Sequence, residues 1–396
     1  MKDYKLHIII FLILPLFILS GCTEAYPLIT NRYEEAIVVQ ATITNELKNQ
    51  EIKITKTARF EDENYLPENG AEVYITDNSG NRYDFEDQSD RYVSKLEFQA
   101  LPDVKYQLHV NTKDDRSFES SIETLSPINP MQNVKAEVET KDNVRGVAIR
   151  VNSFDSSNQS KYYRYEYEET YKIVTPKWVT LEAYIDEKGA LAFRPNSTDT
   201  KVCFGNKKSP ELLLTNTSDS NEDRVNFLIR FISDQDYIIT TRYSILVRQY
   251  VESLAAYTYY NTLKKMSSSE SILSPNQPGF LVGNLKSIKN PNSKIVGYFD
   301  VASVSTERIY FNYGDLFPNK PAPPYYTDCQ EFCYSSGLPP PPDGPCSHTE
   351  AGAYIQDLEL NKISYFLEGG YYYWVDSPCG DCTTFASNLR PTFWVD

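Results

Sequence analysis

Ala36-Ile37-Val38-Val39-Gln40-Ala41-Thr42-Ile43-Thr44 places Ile37, Val39, Ala41 and Ile43 on one side of an extended chain and Val38, Gln40, Thr42 and Thr44 on the other. Side chains alternate faces along a strand, so an apolar set at period two describes a half-buried strand and not a helix. The pattern recurs at 51–57, 71–76, 81–86, 91–98, 104–111 and 117–123. Turn-forming residues separate these runs, most clearly Asp77-Asn78-Ser79-Gly80. Short strands at such spacing, with no helical period, predict an antiparallel β-sandwich over residues 36–126.

A second series begins after Pro127-Ile128-Asn129-Pro130, whose prolines mark a domain boundary. Strands are predicted at 132–139, 144–151 and Lys161 to Val174. In the last of these Tyr163, Tyr165 and Tyr167 share one face and Arg164, Glu166 and Glu168 the other. That reads as a core strand with a charged solvent face; an aromatic platform for ligand stacking is the alternative. Residues 175–222 read as an insertion with a hairpin around Asp186-Glu187-Lys188-Gly189 and a polar loop carrying Cys203. Strands resume at 224–233 and 237–251. A helix follows near 254–266, with Ser253 as N-cap, Leu254, Tyr257 and Leu263 on one side and Lys264-Lys265 at its end. Strands at 280–286, 294–304 and 306–313 complete a second sandwich over 127–317. The remainder, 318–396, is rich in proline and cysteine.

Upstream, Met1-Lys2-Asp3-Tyr4-Lys5 precedes an apolar run from Ile8 to Ile18 and then Leu19-Ser20-Gly21-Cys22. A cationic start, an apolar stretch and small residues before a cysteine are the pattern of a lipoprotein signal peptide. The run is shorter than the roughly 20 residues that span a bilayer. The expectation is removal of residues 1–21, acylation with palmitate at Cys22, and a lipidated tether over 22–35. Thr23 in place of an aspartate points the lipoprotein to the outer membrane. The leader carries Lys2 and Lys5 against Asp3, so its loss takes the formal charge from −15 to −16. Such a surface repels phosphate backbones, which excludes nucleic acid as a partner.

With Cys22 lipidated, Cys203, Cys329, Cys333, Cys346, Cys379 and Cys382 remain. An even number in an exported chain predicts disulfides, and their pairing stays open. Cys379 to Cys382 would close the tightest ring. Cys203 pairs only across a long separation and would staple the insertion to the C-terminal region. The alternative is a metal site of Cys346, His348, Cys379 and Cys382; the preferred reading has no metal and no cofactor.

Several stretches together resemble a known family: 70–85 (GAEVYITDNSGNRYDF), 162–173 (YYRYEYEETYKI), 242–250 (RYSILVRQY), 283–285 (GNL), 296–311 (VGYFDVASVSTERIYF), the Cys379 and Cys382 pair, and the ending from Pro391 to Trp394. The family is an uncharacterised group of lipoproteins of Bacteroidota-type bacteria, known only as a domain of unknown function. The resemblance implies an outer-envelope lipoprotein, often beside a TonB-dependent receptor, with a transthyretin-like or immunoglobulin-like N-terminal sandwich. It supplies no catalytic residues. The fold class expected is all-β, with two or more immunoglobulin/transthyretin-like sandwiches, one short helix and a disulfide-linked C-terminal region.

The sequence contains no G-x-S-x-G, no H-E-x-x-H and no Gly-rich phosphate loop. His109 lies opposite Tyr106, Leu108 and Val110 and reads as a solvent-facing strand residue. The expected function is a non-catalytic accessory or binding subunit at the outer membrane. A structural or adhesive surface module is the alternative class, and a zinc- or thiol-dependent enzyme the third.

Overall fold

The computed structural model describes residues 35–57, 66–196, 200–268, 281–291, 293–334 and 352–396. The stretch read as a signal peptide, Cys22 and the expected tether up to residue 34 lie outside them. Strand β1 (Ile37–Thr44) buries Ile37, Val39, Ala41 and Ile43, the side assigned by the alternation. There follow β2 (Glu51–Lys56), β3 (Leu66–Pro67), β4 (Glu72–Asp77), β5 (Arg82–Asp87), β6 (Tyr92–Ser94), β7 (Lys105–Asn111), β8 (Ser117–Ser120) and β9 (Glu123–Thr124). Their hydrogen-bonded order is β1-β2-β6-β5-β4-β7-β8, with β3 beside β2 and β9 beside β7. Ile54, Val73, Ile75, Phe85, Tyr106, Leu108, Val110 and Phe118 fill the enclosed core. Each such buried side chain contributes about 1.5–3 kcal/mol relative to exposure.

The second body packs two sheets face to face. One joins β10 (Met131–Lys141), β11 (Val144–Asp155) and β17 (Asp223–Ser233); the other is built on β12 (Tyr162–Val174). The insertion adds β13 (Leu181–Ile185) and β14 (Leu191–Pro195), which pair with each other across the expected turn. It also adds β15 (Val202–Lys208) and β16 (Leu213–Asn216), both paired to β12. Strand β18 (Arg242–Glu252) lies on β12's other edge. Val147, Ile149, Val151, Ile229 and Ile232 meet Tyr163, Tyr165, Tyr171, Ile245 and Val247 in the core. These tyrosines form a packed interior and not a ligand platform. The strand expected from residue 237 begins five residues later, because Asp236 accepts the Ile238 N–H and caps a 3-10 turn over Tyr237–Ile239.

The pattern predicts two strands, at 294–304 and 306–313; the chain forms one, β20 (Ile295–Asn312). It changes partner without changing direction. Residues Ile295 to Ala302 run parallel to β1, whereas Ser303 to Asn312 run antiparallel to β18. Asn45, just past β1, accepts the Val304 N–H at 2.7 Å where the first partner ends. Thus the first core is not closed by 36–126 alone, and its sheet is mixed: Leu285, Ile295, Phe299 and Val301 complete it. The short strand β19 (Leu285–Ser287) pairs with β8. Beside it the Asn284 amide clasps β20, with Nδ2 donating to the Phe299 carbonyl and Oδ1 accepting the Phe299 N–H, each at 2.8 Å. Gly297 has φ +135°, and a Cβ there would strike the Val39 carbonyl, so a side chain would part β20 from β1.

A third cluster unites the β13–β14 hairpin with the C-terminal region, where the sequence showed no regular structure. A helix (Ala353–Glu359) and the hairpin of β21 (Ile363–Glu368) and β22 (Tyr371–Asp376) form there. Trp374, Tyr365, Tyr334 and Ile363 pack against Phe193, Leu191 and Val179. The chain is all-β in class, as expected.

Candidate functional site

The two sandwiches share one continuous sheet through β20, so their seam has an outer face as well as two cores. Residues of even number on β18 and β20 point outward there: Tyr250, Glu252, Tyr298, Asp300, Ala302 and Val304. Helix α1 (Leu254–Ser268) packs against β12, β18 and β20 on this side. Ser253 caps it as expected, its hydroxyl accepting the Ala256 N–H at 3.1 Å. The covering side differs from the one anticipated. Leu254 is exposed, while Ala256 is fully buried and Tyr259 and Tyr260 lean on Tyr298, with ring centroids 5.3 and 6.5 Å away. Tyr257 instead packs over Tyr162 at 5.0 Å.

Beneath α1 lies Arg164, which the alternation of β12 assigned to solvent and which is only 4 % exposed. Its Nε donates to Glu252 Oε1 at 2.7 Å and its Nη1 to Glu166. The guanidinium also sits 4.0 Å from the Tyr250 ring centroid and 4.8 Å from that of Tyr260. Asp300, from the half of β20 that serves the first sandwich, completes the group. Burial, and then the charge of Glu252, push its carboxyl well above the ordinary value of 3.8. Read as two carboxylates, Asp300 Oδ2 and Glu252 Oε2 lack any donor. A proton on Asp300 removes that deficit, because Asp300 then donates to Glu252. The cluster brings Arg164 of β12, Glu252 of β18 and Asp300 of β20 together beneath α1, at the seam of the two sandwiches.

Two further polar groups lie inside the second sandwich. Glu169 has the same parity as the core tyrosines and is held by Tyr243 Oη at 2.6 Å and Arg230 Nε at 3.2 Å. Asp223 accepts from Tyr163 at 2.8 Å and Thr217 at 2.7 Å. Each lies between the sheets, where a buried polar group must find partners. Periodicity alone gave no sign of either.

The cysteines separate into staples. Cys203 is bonded to Cys382, joining β15 to the C-terminal region as expected of the insertion. Cys329 is bonded to Cys379, so the tight Cys379–Cys382 ring does not form. Cys333 is also disulfide-bonded. Cys346 and His348 lie outside the described residues. With Cys379 and Cys382 committed to separate disulfides, the thiolate pair needed for the alternative metal site is gone. Intact-mass analysis of the purified protein is expected to show six hydrogens fewer than the reduced form; six titratable thiols would contradict it. His109 faces outward from β7, stacked on Tyr74 at 4.7 Å and hydrogen-bonded with Thr76, and burial lowers its pKa. A hollow of about 80 Å³ between β13 and β21, lined by Glu182, Asn196, Thr200 and Asp381, is too small for most organic ligands.

Comparison with known proteins gives one informative match. The family described as "Domain of unknown function (DUF4249)" matches residues 23–308. No curated protein matches the chain. Among solved structures, the "Biofilm associated protein - BSP domain" aligns at 9% identity over 69% of this chain and 58% of that one, with a TM-score of 0.10. The "Biofilm associated protein - B domain" aligns at 9% identity over 69% and 85%, with a TM-score of 0.11. The chain therefore spans 58% of the first of these. Likeness at these scores carries no argument about fold or function.

Proposed function

The chain belongs to the DUF4249 family, and we propose that it is an exported lipoprotein held at the outer membrane through Cys22, binding or assisting without catalysing, beside a TonB-dependent receptor. The observation that carries this reading is the cystine framework. Cys203–Cys382 and Cys329–Cys379 tie separate parts of the chain together, and such bonds persist in oxidising compartments. Export is what the Leu19-Ser20-Gly21-Cys22 pattern requires. The absence of catalysis is supported by the state of the ionisable clusters among the described residues. Arg164 with Glu252, and Arg230 with Glu169, are engaged with each other beneath or between sheets. The receptor partnership rests on the family resemblance alone.

Cys22→Ala is expected to abolish labelling with a palmitate analogue and to release the protein from the outer-membrane fraction; unchanged labelling overturns the anchor. A pull-down of the native lipoprotein is expected to bring down a large β-barrel. Recovery of matrix components in its place supports the adhesive reading.

A further inference from the structure

Between the end of β17 and the segment before Cys329 lies an open cleft of about 380 Å³, lined by Ser233, Gln235, Asp236, Tyr237, Pro324, Tyr325 and Tyr326. It sits where the second sandwich meets the cystine-linked C-terminal region, and such junctions are common ligand sites. We propose that this cleft binds a neutral glycan chain, with the Tyr326 ring as the stacking surface for a sugar face. The proposal deepens the reading of the chain as a binding subunit by naming a ligand class.

Tyr326 is 48 % exposed, yet it is packed against two other rings. One face stacks on Phe385 with centroids 4.5 Å apart and planes 11° from parallel, and Tyr237 meets it at 5.3 Å, edge to face. The supports are fixed in turn. Tyr237 Oη shares a hydrogen bond with Tyr171 Oη at 3.2 Å, Tyr325 Oη donates to the Pro378 carbonyl at 2.9 Å, and the Cys329–Cys379 disulfide closes the segment. A pre-set aromatic ring loses little entropy on binding. Stacking on it is worth most to a flat, weakly hydrated face such as that of a pyranose. On the rim Ser233 Oγ accepts the Gln235 N–H, Gln235 Nε2 donates to Asp234 and Asp236 Oδ1 accepts the Ile238 N–H, so a sugar hydroxyl would meet the second carboxylate oxygen of Asp236, the Gln235 carbonyl and the Ser233 hydroxyl proton. Asp234 and Asp236, on a chain of formal charge −15, disfavour an anionic ligand. The cleft's shallow, open shape suits a polymer lying across it better than a small molecule enclosed in it.

The test is titration calorimetry of the detergent-solubilised full chain against cellohexaose, xylohexaose, mannohexaose and maltohexaose. At least one is expected to bind. Tyr326→Ala is expected to weaken that binding roughly tenfold or more, and Tyr326→Phe to hold it within about twofold, since stacking uses the ring face and not the hydroxyl. Near-ultraviolet circular dichroism confirms that each variant is folded. No binding to any of the oligosaccharides, binding indifferent to Tyr326→Ala, or binding only to a proline-rich peptide offered in parallel would each overturn the proposal. None of these readings depends on acylation or a receptor, so failure here is distinct from failure of the anchor or the partnership.

Discussion

Arg164→Ala is expected to lower the stability of the second sandwich by about 3–5 kcal/mol, the usual result of removing one partner from a buried ion pair. The reason is what remains. Glu252 has no exposed side-chain surface, and without Arg164 its carboxylate is left buried beside the Asp300 carboxyl with no cation paired to it. Tyr250 and Tyr260 also lose the guanidinium on which they stack. For a body of this size the loss corresponds to a fall in Tm of roughly 6–20 °C. Hydrogen exchange is expected to place it in α1 and the adjoining ends of β12 and β18. The double replacement Arg164→Met with Glu252→Leu tests the cause, because exchanging a buried pair for apolar groups is often close to neutral. If the single and double variants are equally damaged, packing volume and not stranded charge explains the effect. A shift of less than about 1 kcal/mol for Arg164→Ala, the size typical of a surface pair, would mean that α1 does not seal the cluster.

How far this architecture was legible in the sequence depends on whether its cause was local. The β1 alternation marked the buried residues Ile37, Val39, Ala41 and Ile43 correctly, because one covered face leaves a period-two record. Arg164 was assigned to the right face and the wrong environment. Periodicity says which side a residue takes, and only the tertiary position of Ala256, Tyr259 and Tyr260 decides whether that side meets water. The unity of β20 was illegible for a related reason. A strand that changes partner at Ser303 keeps its alternation throughout, and nothing in Ala302-Ser303-Val304 announces the exchange. The cysteines gave the expectation of disulfides but not the pairing: Cys203 and Cys382 are 179 residues apart, and only the folded geometry brings them together. The GNL and VGYFD stretches that carry part of the family resemblance prove to be one structural unit, since Asn284 bonds both backbone groups of Phe299. The seam cluster and the Tyr326 cleft were not legible in the sequence, because each draws on residues distant in the chain.

Asp300→Asn is expected to stabilise the protein at neutral pH and to remove a pH dependence that the wild type carries. In the folded chain burial and the neighbouring Glu252 hold the Asp300 carboxyl well above 3.8; in the unfolded chain it returns to that value. Between the two values the native state keeps a proton that the unfolded state has released, so stability falls by about 1.4 kcal/mol for each pH unit upward. The contribution is fully present below 3.8 and is lost as pH rises through the folded value. An asparagine side chain donates to Glu252 without needing a proton, and it leaves Arg164 and Glu252 to neutralise each other. Other groups pull in the opposite sense: its bond to Arg116 holds Asp114 down to about 2, and that stabilisation is lost on acidification. They are common to both proteins, so the informative quantity is the difference between the two curves. Denaturant unfolding in steps upward from about pH 4, the ordinary carboxylate range, is expected to show the Asp300→Asn variant gaining on the wild type as pH rises. Parallel curves would mean that Asp300 is ionised throughout, leaving two buried carboxylates to be balanced by Arg164 alone. The absence of any donor to Asp300 Oδ2 argues against that arrangement.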